Sequence, residues 1–125
     1  LMAASDFFEI VVEGKGGHAA LPHFSNDTTL ASSAIVLALQ QIVSRRRSAL
    51  QSVVLSVTGL STDTMAHNVT PDTVRITGTT RFLNENERQK MPERIKKTAE
   101  STAEAYGCSA HIQYGFGVGV TYKYV

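Results

Sequence analysis

The chain carries its densest group of chemically versatile residues between Gly14 and His23, in the segment GKGGHAALPH. An imidazole such as that of His18 or His23 can donate a hydrogen bond, accept one or bind a metal ion near neutral pH. The glycines before His18 let the backbone approach another group more closely than a side chain would permit. We therefore interpret this segment as part of a site, held at the end of a strand predicted for residues 6–13.

Two further polar residues, Asn68 and Arg81, lie around predicted turns and strand ends. An amide can donate, as an imidazole can, to an oxygen that becomes negatively charged during a reaction. An arginine is the natural partner of a carboxylate. With His18 and His23, these residues describe half of a site for an acylated amino acid, without the group that activates water. Each of them, taken alone, is better explained by a structural role in a turn, a loop or a solvated strand.

Other chemistries receive less support. His18 and His23 are five positions apart with no acidic residue between them, and Pro22 disfavours a helix there, so a self-contained metal site is not expected. Cys108 follows a predicted helix end and is interpreted as a small half-buried residue rather than a nucleophile. The glycine segment lacks the spacing of a P-loop. The third predicted strand carries threonines and arginines, not the aromatic residues of an RNA-recognition module.

The composition is that of an ordinary globular domain, with 125 residues, 42% hydrophobic residues and a formal net charge of +1. This length predicts one domain with its own core. The near-neutral charge favours neither nucleic acid nor an anionic membrane as a partner. No apolar run approaches the roughly 20 residues that span a bilayer. A single cysteine excludes an internal disulfide and fits a reducing compartment, so we expect a cytoplasmic protein.

The periodicity of apolar residues predicts elements in the order β-α-β-β-α-β. Strands are expected at residues 6–13, 51–59, 72–83 and 109–115, and helices at residues 26–45 and 86–106. This order is that of the ferredoxin-like α+β sandwich, in which two helices cover one face of a four-stranded antiparallel sheet. In the first helix, Leu30, Leu37 and Leu39 lie outside the main apolar stripe, which indicates a second neighbour such as another chain. Residues 116–125 are not assigned.

Three motifs in order, GKGGHAALPH, Asn68 to Asp72 and Gly78 to Arg81, resemble the small lid or dimerisation domain of the metal-dependent aminoacylase and carboxypeptidase family. The similarity extends from Met2 to Gly107. It is greatest to the amidohydrolases that cleave N-acyl amino acids, such as the hippurate hydrolases and the auxin-conjugate hydrolases. The resemblance implies that residues 1–125 are a single domain inserted in a larger two-domain metallohydrolase, and that they are inactive alone.

The resemblance also implies roles for the site residues. The histidine that matches His18 reaches into the partner subunit's active site and stabilises the tetrahedral oxyanion. The residues that match Asn68 and Arg81 hold the substrate, the arginine through the substrate carboxylate. His23 is expected to line the substrate site or to lie behind it. The catalytic domain would hold two divalent metal ions, usually zinc and possibly manganese or cobalt, whose ligand motifs are absent from this chain, so the fragment itself is expected to bind no cofactor.

A homodimer is implied as well, and we expect its surface to consist of the helix at residues 26–45 and an adjacent edge strand. An alternative is a free-standing ferredoxin-like module that binds a small acidic ligand through Arg81. The length of the parent reading frame distinguishes the two hypotheses. A stop codon near Val125 favours the module, and a longer frame with metal-ligand motifs favours the lid domain.

Overall fold

The computed structural model describes residues 4–44, 53–82 and 85–117, and the backbone of residues 123–124. In chain order, the elements are β1 (Ala4–Glu13), β2 (Gly17–His18), the 3-10 helix η1 (Pro22–Phe24), α1 (Thr28–Ser44), β3 (Val53–Thr62), β4 (Val69–Thr70), β5 (Thr73–Phe82), α2 (Glu85–Ala105), β6 (Ser109–Phe116) and β7 (Lys123–Tyr124). Residue 45 of the predicted first helix, residues 51 and 52 of the second predicted strand and most of the tail 116–125 lie outside these ranges.

The main sheet has the strand order β3-β5-β1-β6-β7, and all its pairings are antiparallel. The first four of these strands form the predicted ferredoxin-like sheet, and the two helices pack on one of its faces around a common core. The α+β fold predicted from the sequence is therefore confirmed. β7 extends the sheet by two residues beside β6, and β2 pairs with β4 in a separate two-stranded sheet.

β5 shows why alternation predicted this sheet. Its residues Val74, Ile76, Thr80 and Phe82 are buried, whereas Arg75, Thr77 and Arg81 on the other face are exposed. Gly78 stands in the buried row because Phe8, its partner on β1, occupies the space that a side chain would need. A strand with one face on a core must alternate in this way, because successive side chains point to opposite faces.

α1 begins after Asp27, whose carboxylate accepts a hydrogen bond of 3.0 Å from the backbone N–H of Leu30 and so caps the first turn. Its core stripe includes Leu39, which is fully buried. The prediction that Leu39 lies outside the stripe is therefore wrong, since it follows Ile35 by four residues and shares its face. Leu30 and Leu37 are exposed, at 54% and 75%.

α2 places Met91, Ile95 and Ala99 in the core, as predicted. Ala103 continues this stripe, and the expected Thr102 is half-buried while Tyr106 is exposed. The helix ends at Ala105, and Gly107, which was predicted as its C-cap, follows with a positive φ of 74°. No helix within the described ranges is long and apolar enough to cross a membrane.

Cys108 is half-buried, in line with its interpretation as a packing residue. Burial, with a smaller contribution from the negative charge of Asp27, raises the pKa of the Cys108 thiol above its usual value. A nucleophilic cysteine needs the opposite, a lowered pKa that favours the thiolate.

A buried carboxylate joins three elements at the end of the sheet where β1 begins and β6 ends. Asp6 is fully buried, and Arg88 of α2 donates to both its oxygens, at 2.7 Å to Oδ1 and 3.0 Å to Oδ2. The Tyr114 hydroxyl donates to Oδ2 at 2.9 Å, and the Gly117 N–H donates to Oδ1 at 2.8 Å. A buried charge is tolerated when it is paired and its remaining lone pairs are bonded in this way.

We predict that stability falls more steeply at alkaline pH in the wild type than in Tyr114→Phe. Burial, and secondarily the neighbouring Asp6 carboxylate, raises the pKa of the Tyr114 hydroxyl above its usual value. Above about pH 10 the unfolded phenol ionises while the folded one keeps its proton, so the native state binds more protons and stability falls as pH rises. Urea unfolding at about pH 8 and about pH 11 measures this slope. Equal slopes in the two proteins would contradict the prediction.

Candidate functional site

Two motifs that are far apart in the sequence lie side by side in the structure. The glycine-histidine segment, defined here as residues 14–20, runs antiparallel to residues 68–72. The contacts are the residue pairs Gly17–Thr70 and His18–Val69, a hydrogen bond of 2.9 Å from the Ala19 N–H to the Asn68 carbonyl oxygen, and one of 2.9 Å from the Gly14 N–H to the Asp72 carbonyl oxygen. Backbone pairing therefore brings His18 and Asn68 together at one place on the surface.

The glycines of this segment permit the close contact. A Cβ atom at Gly16 would overlap the carbonyl oxygen of Thr70 and would come within 2.9 Å of Asp72 Oδ1. At Gly14, a Cβ atom would come within 2.9 Å of the Asn26 carbonyl oxygen and of Cys108 Sγ. Side chains at these two positions would therefore separate the segment from the strands and turns beneath it.

His18 has an exposed side chain with one nitrogen already engaged. Its Nδ1 accepts a hydrogen bond of 3.1 Å from the Ala20 N–H. In a neutral imidazole one nitrogen accepts and the other carries the proton, so this bond assigns the proton to Nε2. No group in the described part of the chain accepts a hydrogen bond from Nε2. His18 can thus donate from Nε2 to a group beyond the described residues.

Asn68 directly precedes Val69, the strand partner of His18, and His23 follows His18 by five residues. Both Asn68 and His23 are exposed. The backbone of Asn68 holds Ala19, which leaves its side-chain amide at the surface. His23 lies in η1, with its ring 4.2 Å from the ring of Phe24. Four apolar side chains within a few residues of these polar groups in the sequence are also exposed, namely Leu21 at 46%, Phe24 at 65%, Met65 at 88% and Val69 at 42%. Exposed apolar side chains beside polar groups are compatible with a face that contacts another body.

Arg81 does not join this group. It lies on the open face of the sheet, paired with Ser5 on β1 and with Val54 on β3. It is eight residues along β5 from Thr73, which directly follows the paired segments. At about 3.3 Å per residue this separation is about 26 Å. Within one protomer, the predicted carboxylate-binding arginine therefore lies at the far end of β5 from the paired segments that carry the predicted oxyanion donor.

Sequence reasoning missed two residues that hold the site. The carboxylate of Asp72 accepts a hydrogen bond of 2.7 Å from the Gly16 N–H. The side-chain amide of Asn26 donates a hydrogen bond of 2.6 Å to the Gly107 carbonyl oxygen. The backbone N–H of Asn26 donates a second one, of 2.8 Å, to the Lys15 carbonyl oxygen. Asp72 directly follows Pro71 at the start of a strand, and an aspartate in such a position often accepts a hydrogen bond that fixes a turn. This was the signal in the sequence that could have identified it. The partners of both residues are distant in sequence, which made the contacts unpredictable.

The described residues contain no group of three or more histidine, cysteine, aspartate or glutamate side chains placed to hold a metal ion. The site instead offers hydrogen-bond donors, which suit an oxygen-rich or negatively charged group.

A second surface lies along α1 and β3. β3 is an edge strand of the main sheet. A bulge between Val57 and Gly59 shifts its register, so that Leu60 pairs with the buried Ile76 and shares the helix-side face. Leu60 is nevertheless 57% exposed, and the exposed Leu30 and Leu37 belong to the neighbouring helix. An unpaired strand edge beside exposed leucines is a surface suited to association.

Comparisons with known proteins agree on one family. Residues 5–107 match the family described as the peptidase dimerisation domain. The chain is 42% identical over 114 residues to the N-acetylcysteine deacetylase of Bacillus subtilis, covering 91% of this chain and 30% of that protein. It is 40% identical over 117 residues to the N-acyl-L-amino acid amidohydrolase of Geobacillus stearothermophilus, covering 94% and 31%.

Solved structures agree with these matches. The crystal structure of the Bacillus subtilis YXEP protein, described as a dinuclear metal binding peptidase from the M20 family, superposes with a TM-score of 0.71 at 30% identity. The superposition covers 99% of this chain and 28% of that one. The chain thus spans about 30% of the length of the relatives it matches.

Proposed function

Because the chain belongs to the peptidase dimerisation-domain family, we propose that it is the dimerisation and lid domain of a metal-dependent amidohydrolase that cleaves N-acyl amino acids. The relatives named as a deacetylase and an amidohydrolase support this substrate class. The observation that carries the proposal is the pairing of the His18 and Asn68 segments, which presents two donors on an exposed face. In this proposal the domain needs the rest of the enzyme for activity, because the catalytic metal ions would be held there.

In this proposal His18 is a catalytic residue. Its Nε2–H donates to the amide oxygen as that oxygen becomes an oxyanion, and it does so as a neutral imidazole because Nδ1 is engaged by Ala20. The Asn68 amide binds the substrate, and His23 lines the substrate-binding site. The divalent metals, held elsewhere in the enzyme, would supply Lewis-acid activation and an activated water.

The separation of Arg81 from His18 indicates how the sites are shared. One N-acyl amino acid is much shorter than about 26 Å, the distance along β5 estimated from the rise per residue. A single substrate therefore cannot contact both residues of one protomer. We place Arg81 at the active site of its own subunit, where it binds the substrate carboxylate, and His18 with Asn68 at the active site of the partner.

Sharing of sites between subunits requires a homodimer, and we place its interface on the surface along α1 and β3. A two-fold axis beside β3 would pair two copies of this edge strand and would cover Leu30, Leu37 and Leu60 of both copies. Such an arrangement satisfies the free backbone groups of the edge and buries the exposed leucines together. We place the enzyme in the cytoplasm, since the single cysteine of this domain fits a reducing compartment.

Mixed dimers test the sharing of sites. We expect full-length enzymes with His18→Ala and with Arg81→Ala to be poorly active separately, and their mixed dimer to regain one complete site. In that dimer, the subunit with His18→Ala keeps its own Arg81 and receives His18 from its partner. The measurement is the activity of co-expressed, doubly tagged dimers. A mixed dimer no more active than its parents would show that both residues act within one subunit.

A further inference from the structure

We infer that Asp72 is a positioning residue for His18, acting through the backbone of the glycine-histidine segment. The inference rests on the proposed function, because it gives a role to the residue that holds the oxyanion donor. Its basis is a hydrogen-bond arrangement that links an exposed carboxylate to the residues just before His18.

Asp72 holds this segment at two points. Its carboxylate Oδ1 accepts the Gly16 N–H at 2.7 Å, and its backbone carbonyl oxygen accepts the Gly14 N–H at 2.9 Å. The first bond is charge-assisted and short, which makes it stronger than an ordinary amide hydrogen bond. One residue therefore fixes two alternate N–H groups immediately before β2.

The carboxylate has no role in the core. Asp72 is exposed, and among the described residues its side chain forms a hydrogen bond with Gly16 alone. Asp63, a neighbouring exposed aspartate, forms no side-chain hydrogen bond in the same ranges. The difference between the two aspartates is the contact with the segment that carries His18.

The short strand pair explains why this contact is needed. β2 and β4 share only the pairs Gly17–Thr70 and His18–Val69. Two residue pairs define a register weakly, and a slip of one residue would turn the side chain of His18 to the opposite face. The bond between Asp72 and Gly16 lies next to these pairs and opposes such a slip. The Ala20 N–H bond to Nδ1 then holds the ring itself.

The test compares Asp72→Ala, Asp72→Asn and the matched control Asp63→Ala in the full-length enzyme. We expect Asp72→Ala to lower kcat about 10- to 100-fold through misplacement of His18, with KM changed by only a few-fold. Asp72→Asn should stay close to the wild type, because its amide oxygen can accept the same bond. Asp63→Ala should also stay close to the wild type. Equal losses in the two alanine variants would overturn the inference.

A double variant separates positioning from general structural damage. If Asp72 acts through His18, adding Asp72→Ala to His18→Ala should lower kcat no further, because the residue to be positioned is gone. Full additivity of the two losses would overturn the inference.

Nuclear magnetic resonance on the 125-residue chain tests the inference without measuring enzyme activity. We expect Asp72→Ala to accelerate hydrogen exchange at the Gly16 amide and to reduce the share of the Nε2–H tautomer of His18, seen in long-range proton–nitrogen spectra. Unchanged exchange and tautomer would overturn the inference. If His18→Ala kept the kcat of the wild type, the proposed function would be contradicted. Hydrogen exchange at the Gly16 amide and the tautomer of His18 would still test whether Asp72 positions His18.

Discussion

Replacing His18 with alanine in the full-length enzyme should lower kcat by about 100-fold or more, the loss expected when one oxyanion donor is removed. KM should change little, because the amide oxygen acquires its charge only as the transition state is approached. The physical basis is the exposed Nε2–H of His18, whose ring is held by the Ala20 N–H bond of 3.1 Å to Nδ1. Steady-state kinetics on an N-acyl amino acid measures both constants.

His111→Ala is the matched control for this loss. His111 is also exposed to solvent but lies on β6, 3.7 Å from a carboxylate oxygen of Glu13. We expect its kcat to stay within a few-fold of the wild type. A glutamine at position 18 should recover part of the lost rate, since its amide can donate a hydrogen bond. If the alanine variants at positions 18 and 111 had similar kcat values, His18 would not be an oxyanion donor.

The largest effect on stability is expected from Arg88→Met, which should lower the free energy of unfolding by about 3–5 kcal/mol. The variant leaves the carboxylate of Asp6, which is 0% exposed, without its cationic partner. The remaining donors, the Tyr114 hydroxyl and the Gly117 N–H, do not neutralise the charge. Because a domain is stable by only about 5–15 kcal/mol, this loss is a large part of the total. Urea unfolding of the 125-residue chain measures it.

An exposed ion pair provides the comparison. Arg75 pairs with Glu9 on the open face of the sheet, where the two side chains are 55% and 26% exposed. Arg75→Met should cost at most about 1 kcal/mol, because water screens such pairs. Adding Asp6→Asn to Arg88→Met should recover part of the stability by removing the unpaired charge. Equal losses for the two methionine variants would mean that Asp6 is not the buried charge that Arg88 neutralises.

The fold was predictable because its signals are local. The alternation along β5, including Gly78 in the buried row, predicted both faces of the strand. Helical spacing predicted Ala31, Ile35 and Ile42 in the core, and Gly107 was recognised as a helix end. Each signal depends on residues at most a few positions apart, which have the same geometric relation in any sheet or helix. Leu39 was misassigned because an apolar stripe is wider than its most regular positions.

The sequence by itself determined the element order, the ferredoxin-like sheet and the chemical types present in the glycine-histidine segment. Only the tertiary structure decided how these residues are grouped. It joined His18 to Asn68 through β2 and β4, placed the Asp72 carboxylate on Gly16, and separated Arg81 from all of them. The physical reason is that such contacts depend on the register and direction of strands distant in sequence. Residue type and spacing show which groups can react, but strand pairing sets which of them meet.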